Sequence, residues 1–194
     1  YQKTRSSFST TFGKRIIIMS PEYELEFDII REGYYSDYRY QFFNTLTKVF
    51  TFLGLSLMLT GAYLDDNKTI SLIIEIIGSF LLITNTVLDF QSNAVFWKNM
   101  SANFSKIHEE YLKGKGSWTS KDINEFNAKV QNIQSNDKNF KRVLAEKAHN
   151  STNHQIGCNH KYDFDISWYK WITANFISWD AGNLRYIDKS AEKQ

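Results

Sequence analysis

The chain has one cysteine and one proline in 194 residues. A lone Cys158 rules out an intramolecular disulfide framework and suits a reducing compartment. No secretory leader is visible in residues 1–20, which are polar and carry Lys14-Arg15 ahead of a short isoleucine run. Glycine-rich phosphate loops, nucleophile elbows and paired-carboxylate patterns do not occur, so no enzyme is expected and no cofactor is called for. His149, His154, Cys158 and His160 lie close together in sequence, but their spacing fits no zinc pattern, and a polar loop accounts for them. Charge is nearly missing from two long stretches, Phe42 to Leu64 and Ile70 to Phe90. The first holds only Lys48, and the second only Glu75 before Asp89 near its end. Neither stretch has a polar face wide enough for a soluble surface helix.

These two runs organise the rest. A bilayer core of about 30 Å needs roughly 20 apolar residues in a helix, and both runs meet that length. The turn Asp65 to Thr69 is too short for anything but an antiparallel pair, so both flanks fall on one side. Arg31 and Arg39 precede the first run, Lys98 and Lys106 follow the second, and the turn offers Lys68 beside two aspartates. The positive-inside rule then predicts that both termini are cytoplasmic. The fold expected is an all-α membrane protein, a two-helix transmembrane hairpin with a cytoplasmic helical bundle.

Along the chain, residues 1–19 read as a loose arm. Ser20-Pro21-Glu22 predicts a helix start, with Ser as cap and Pro at the first helical position, and Gly33 is expected to break or bend that helix. The tyrosine-rich stretch Tyr34 to Tyr40 is expected at headgroup level. Beyond Phe90 the helix is expected to continue through Met100, Phe104 and Leu112 as far as Lys113-Gly114-Lys115-Gly116. Thr119-Ser120-Lys121-Asp122 predicts a capping box, followed by Ile123, Phe126, Val130 and Ile133 on one face. A third helix is expected from near Asn136, carrying Phe140, Val143, Leu144 and Ala148. The divisions are an arm and pre-membrane helix over 1–41, the hairpin over 42–90, a cytoplasmic helical domain over 91–150 and a Trp-rich segment over 151–194. In that last segment Trp168, Trp171, Ile172 and Trp179 fall near one side of a helix. Such a stripe packs on other helices, lies on the inner leaflet or stacks nucleic-acid bases.

Ser71, Glu75, Ser79, Thr86 and Asp89 make a polar stripe on the second run, interrupted by Leu82 and with Asn85 beside it. On the first run Thr47, Thr51, Gly54, Met58 and Gly61 form a small, weakly polar face suited to close helix contact. Two readings of Glu75 stand. It snorkels or hydrogen-bonds within the hairpin, or the stripe lines a pore shared by several copies. From Gln91 onward 15 Lys or Arg stand against 11 Asp or Glu. Solvated helix faces explain that excess, and a nucleotide or oligonucleotide on Lys138, Lys141, Arg142 and Lys147 is the sharper alternative.

The order of parts resembles the SLATT family, two-span effectors of bacterial conflict and anti-phage systems. The resemblance is carried by the hairpin 42–90, the helix ending Glu109-Glu110-Tyr111-Leu112, the Thr119-to-Ile133 helix, and the run from Val143 to Asn150 with Gly157 following. It implies an oligomeric pore of the bacterial inner membrane, expected here as a tetramer, that depolarises the infected cell. It further implies a nucleotidyltransferase-like partner whose nucleotide or oligonucleotide product gates the pore. The competing expectation is a membrane-tethered adaptor that conducts nothing.

Overall fold

The computed structural model describes residues 20–64, 68–137, 140–157, 163–177 and 179. The elements among them are six helices: α1 (Pro21–Tyr63), α2 (Lys68–Val87), α3 (Phe90–Gly114), α4 (Ser120–Gln134), α5 (Arg142–Gln155) and α6 (Trp168–Thr173). The Ser20 side chain accepts a hydrogen bond from the Tyr23 N–H at 3.3 Å. Pro21 sits where a missing N–H leaves nothing unsatisfied, and Glu22 and Glu24 face the positive end of the helix dipole. Gly33 does not break α1, which continues unbroken for 43 residues. Instead it is a contact point: a Cβ there would lie 3.7 Å from the Cβ of Phe104 on α3, an ordinary packing distance.

Both α1 and α2 contain stretches long and apolar enough to cross a membrane, and almost none of either stretch is buried within the chain. Phe52 is 71% exposed and Phe80 67%, with Leu59, Ile73, Ile76 and Ile83 similarly bare. Where the two helices meet, glycines on both sides let the backbones come close. On α2 the seam residues Ser71, Glu75, Gly78, Leu82 and Asn85 alternate four and three apart, as in paired helices. They face Gly61, Met58, Gly54 and Thr51 of α1, the small face read from the sequence. A Cβ on Gly78 would fall 2.8 Å from the Gly54 carbonyl oxygen and 2.9 Å from the Met58 nitrogen.

The N-terminal half of α1 is wrapped by α3, α4, α5 and the segment after it. Leu25, Ile29 and Tyr35 of α1 share one core with Trp97, Met100, Phe104, Ile107 and Tyr111 of α3. Phe126 and Val130 of α4 and Val143, Leu144 and Ala148 of α5 join the same core. Each large apolar side chain so buried stabilises the fold by about 1.5–3 kcal/mol. α3 runs antiparallel to α1, with Trp97 beside Tyr35 and the Tyr111 hydroxyl donating to the Glu22 carbonyl at 3.0 Å. The Thr119 capping box forms in full: its hydroxyl accepts from the Asp122 N–H, and the Asp122 carboxylate accepts from the Thr119 N–H.

Besides Gly33, four further expectations differ from what is seen. The helix does not continue straight past Phe90: Asp89 adopts a left-handed conformation (φ 47°), which ends α2, and its side chain accepts from the Ser92 N–H to start α3. Aspartate tolerates that region better than most residues. The third helix starts at Arg142 rather than near Asn136, and Phe140 stacks on Tyr35 from outside it. Tyr35, 2% exposed, and the half-buried Tyr38 turn into the helical body rather than towards headgroups. Lastly, α6 stops at Thr173, so Trp179 is not on it; the Trp179 indole N–H donates to the Thr173 hydroxyl at 2.8 Å.

Two glycine substitutions should act oppositely. Gly78→Ala forces the hairpin backbones apart and should destabilise the chain by about 1–3 kcal/mol. Gly33→Ala meets only ordinary contact and gains helix propensity, so it should stabilise by up to about 1 kcal/mol. Thermal unfolding of the two variants in detergent gives the comparison.

Candidate functional site

The hairpin seam is built from backbone approach. With no Cβ at Gly61, its carbonyl is open to the Ser71 hydroxyl, which donates to it at 2.6 Å. A Cβ on Gly61 would fall 2.5 Å from Glu75 Cγ, so the methylene stem of Glu75 lies over the glycine. At the other end the Asn85 side-chain amide donates to the Thr51 hydroxyl at 3.1 Å. Glu75 also borders a groove of about 370 Å³ on the face of α2, with Ser79, Leu72, Ile76, Phe80 and Ile83. Of the stripe read from the sequence, Ser71, Glu75 and Ser79 are half-buried. Thr86 is exposed, its hydroxyl donating to Leu82 O of its own helix at 3.0 Å, and Asp89 lies beyond the end of α2 as the cap of α3.

Among the described residues, the basic side chains singled out from the sequence do not form one patch. Lys138 lies outside the described residues. Lys141 precedes α5; its backbone N–H donates to the Tyr35 hydroxyl at 3.0 Å and its Nζ to the Phe176 carbonyl at 3.3 Å. Arg142 pairs with Glu146 at 3.5 Å, one turn along. Lys147 is on another side of α5, since five residues turn a helix by about 140°. Its Nζ stands 3.8 Å from the centre of the Tyr38 ring, and burial lowers its pKa.

The sequence reading did not mark the buried charged groups, among them Arg39 and Glu146; Glu32 and Asp163 are buried as well. Arg39, 5% exposed, has its guanidinium 5.0 Å from the Phe43 ring and 4.9 Å from the Trp97 ring. Its Nη1 donates to the Asn175 carbonyl at 3.2 Å. Burial lowers its pKa, opposed by Tyr35 and Asp137, and an arginine stays charged throughout. Glu146 is buried as well, and its Oε2 has no hydrogen-bond partner among the described residues. An Arg142–Glu146 pair at i, i+4 is common on wet helix faces, so nothing in the pattern marked it as buried.

His154 and Asp163 form a 2.8 Å pair, and the His149 ring sits edge-on between Phe27 and Phe164, so both histidines have structural partners. Cys158 and His160 lie outside the described residues. No family model matches the chain, and no curated protein or solved structure does either.

Burial raises the Glu146 pKa from an ordinary 4.5 to about 7, against the opposing pull of Arg142 and Lys170. The folded chain therefore holds this proton more tightly than the unfolded chain. Its contribution to stability is complete below the unfolded pKa and is lost as pH rises through about 7. Glu146→Gln should melt like the parent near pH 4 and be more stable near pH 8, by on the order of 2 kcal/mol. Melting curves across that range measure the difference.

Proposed function

We propose that the chain is a membrane pore effector of a bacterial anti-phage system. The hairpins span the inner membrane with both termini in the cytoplasm, and several copies, a tetramer by preference, surround an ion path. The observation that carries this reading is a carboxylate set among bare apolar helix faces: Glu75 and Ser79 border an open groove on α2. An ionisable group at membrane depth faces protein or water rather than lipid. Two helices cannot enclose water, but copies that turn this groove to a common axis can. Ser71, Ser79, Thr86 and Asp89 then complete the polar lining around a ring of Glu75 side chains that favours cations. The defence role, and gating by a nucleotide or oligonucleotide from a nucleotidyltransferase-like partner, rest on the SLATT resemblance alone. Lys141, Arg142 and Lys147, divided between two sides of α5, make a poor single anion site.

A second reading also has an observation behind it. Ser71 is hydrogen-bonded to Gly61 and the Glu75 stem packs on the same residue, as in a hairpin that serves only as an anchor. The helices around α1 would then recruit a soluble partner. Liposomes separate the two. The pore reading expects cation flux from the purified chain, reduced by about an order of magnitude in Glu75→Gln. Tight liposomes in every gating condition sink the pore and leave the anchor; undiminished flux in the variant removes Glu75 from the conduction path.

A further inference from the structure

The turn after α6 is fastened to α1 where the apolar stretch begins. Ala174 is buried in the core, the Asn175 carbonyl accepts from Arg39, and the Phe176 carbonyl accepts from Lys141. The Phe176 ring meets Phe42 edge-on with 4.7 Å between centroids. Phe43 and Phe90, at the corresponding ends of the two apolar runs, are 6.2 Å apart, so these rings share a level along the hairpin. What α6 and this turn leave exposed is apolar and aromatic: Trp168 is 75% exposed and Phe176 60%, with Tyr169 and Ile177 exposed as well. Near them stand Lys141, whose Nζ bonds the Phe176 carbonyl, and Arg142 and Lys170, which both act on the buried carboxylate of Glu146; Asp165, three residues before Trp168, is exposed.

We infer that the segment Trp168–Ile177 lies in the headgroup layer of the membrane that the hairpin crosses. The rings of Trp168, Tyr169 and Phe176 enter the interface, and the neighbouring basic side chains face lipid phosphates. This rests on the reading of the hairpin as membrane-spanning. Two features favour lipid over a protein partner. The exposed rings are continuous, through Phe42, with helix faces that are themselves bare and apolar, and aromatic side chains with cationic neighbours match the boundary between acyl chains and phosphates. α6 is only six residues long, so it acts as a wedge held by the turn and not as a free amphipathic helix.

The test uses the full chain in nanodiscs carrying one copy each, compared with Trp168→Phe, a conservative change at an exposed position. Lipids brominated close to the glycerol should quench part of the tryptophan emission, and that part should be lost in the variant. Bromines at the chain ends should leave the Trp168 component intact. If no brominated lipid quenches Trp168 and aqueous acrylamide reaches it as freely as in detergent, the segment faces water and the inference fails. Protection that appears only in discs with several copies assigns the surface to a second chain and overturns it too. A chain that does not insert into discs at all refutes the membrane reading itself, which is a different failure.

Discussion

The structure depends on α1 being one uninterrupted helix. At 1.5 Å per residue its 43 residues extend about 65 Å, roughly half along the apolar hairpin and half inside the helical body. Everything else is placed against it. α2 packs on the far half through glycines, and α3 folds back along the near half from Trp97 to Tyr111. α4 and α5 then close the core over α3 and α1. No joint separates the two halves, so a rotation of the helical body about α1 would turn the hairpin with it. Pro21 at the start and the absence of any later proline are the simplest causes of that continuity.

Arg39 marks the junction. It is buried one turn before the apolar stretch, between an α1 ring and an α3 ring, with one nitrogen on the carbonyl of the C-terminal turn. A charge so placed is destabilising unless its surroundings compensate for lost water. Two aromatic faces and a carbonyl do so in part, and the nearby Asp137 adds attraction. The arrangement joins three segments distant in sequence through a single side chain. The same cation supports the level at which Phe42, Phe43, Phe90 and Phe176 gather, so junction and aromatic belt are one feature.

What the sequence revealed and what it hid separate along physical lines. Local chemistry was legible: the Ser20 cap, the Thr119 box, the apolar face of α4 and the small-residue face of α1 depend on neighbours a few residues away. Helix ends set by long-range packing were not. Gly33 looks like a breaker in isolation, yet α1 runs through it, held on both sides by the packing of Ile29, Ile30 and Tyr35 in the core. The tyrosines at 34–40 look interfacial beside an apolar run, but Tyr35 is needed to fill the space between α3 and the start of α5. The break at Asp89 depends on one backbone angle, which hydrophobic periodicity does not report. Arg39 and Glu146 looked like any solvated charge, because burial is a property of what folds over them.

Glu75 is where anchor and conduit make different demands, and its shape eases the conflict. A glutamate has an apolar stem and a charged head, so the two ends can serve different surroundings. The stem covers Gly61 and helps close the hairpin; the same residue borders the groove with Ser79 on the outer face of α2. A shorter acid could not do both from this position, since it would have to give up either the glycine contact or the groove. The bare faces of Phe52, Leu59, Phe80 and Ile83 must still be covered, and lipid alone covers them without any need for a carboxylate. On the proposed pore reading, a carboxyl group kept at the rim of such a groove is what a second copy of the same hairpin, bringing water or a polar surface to that side, would use.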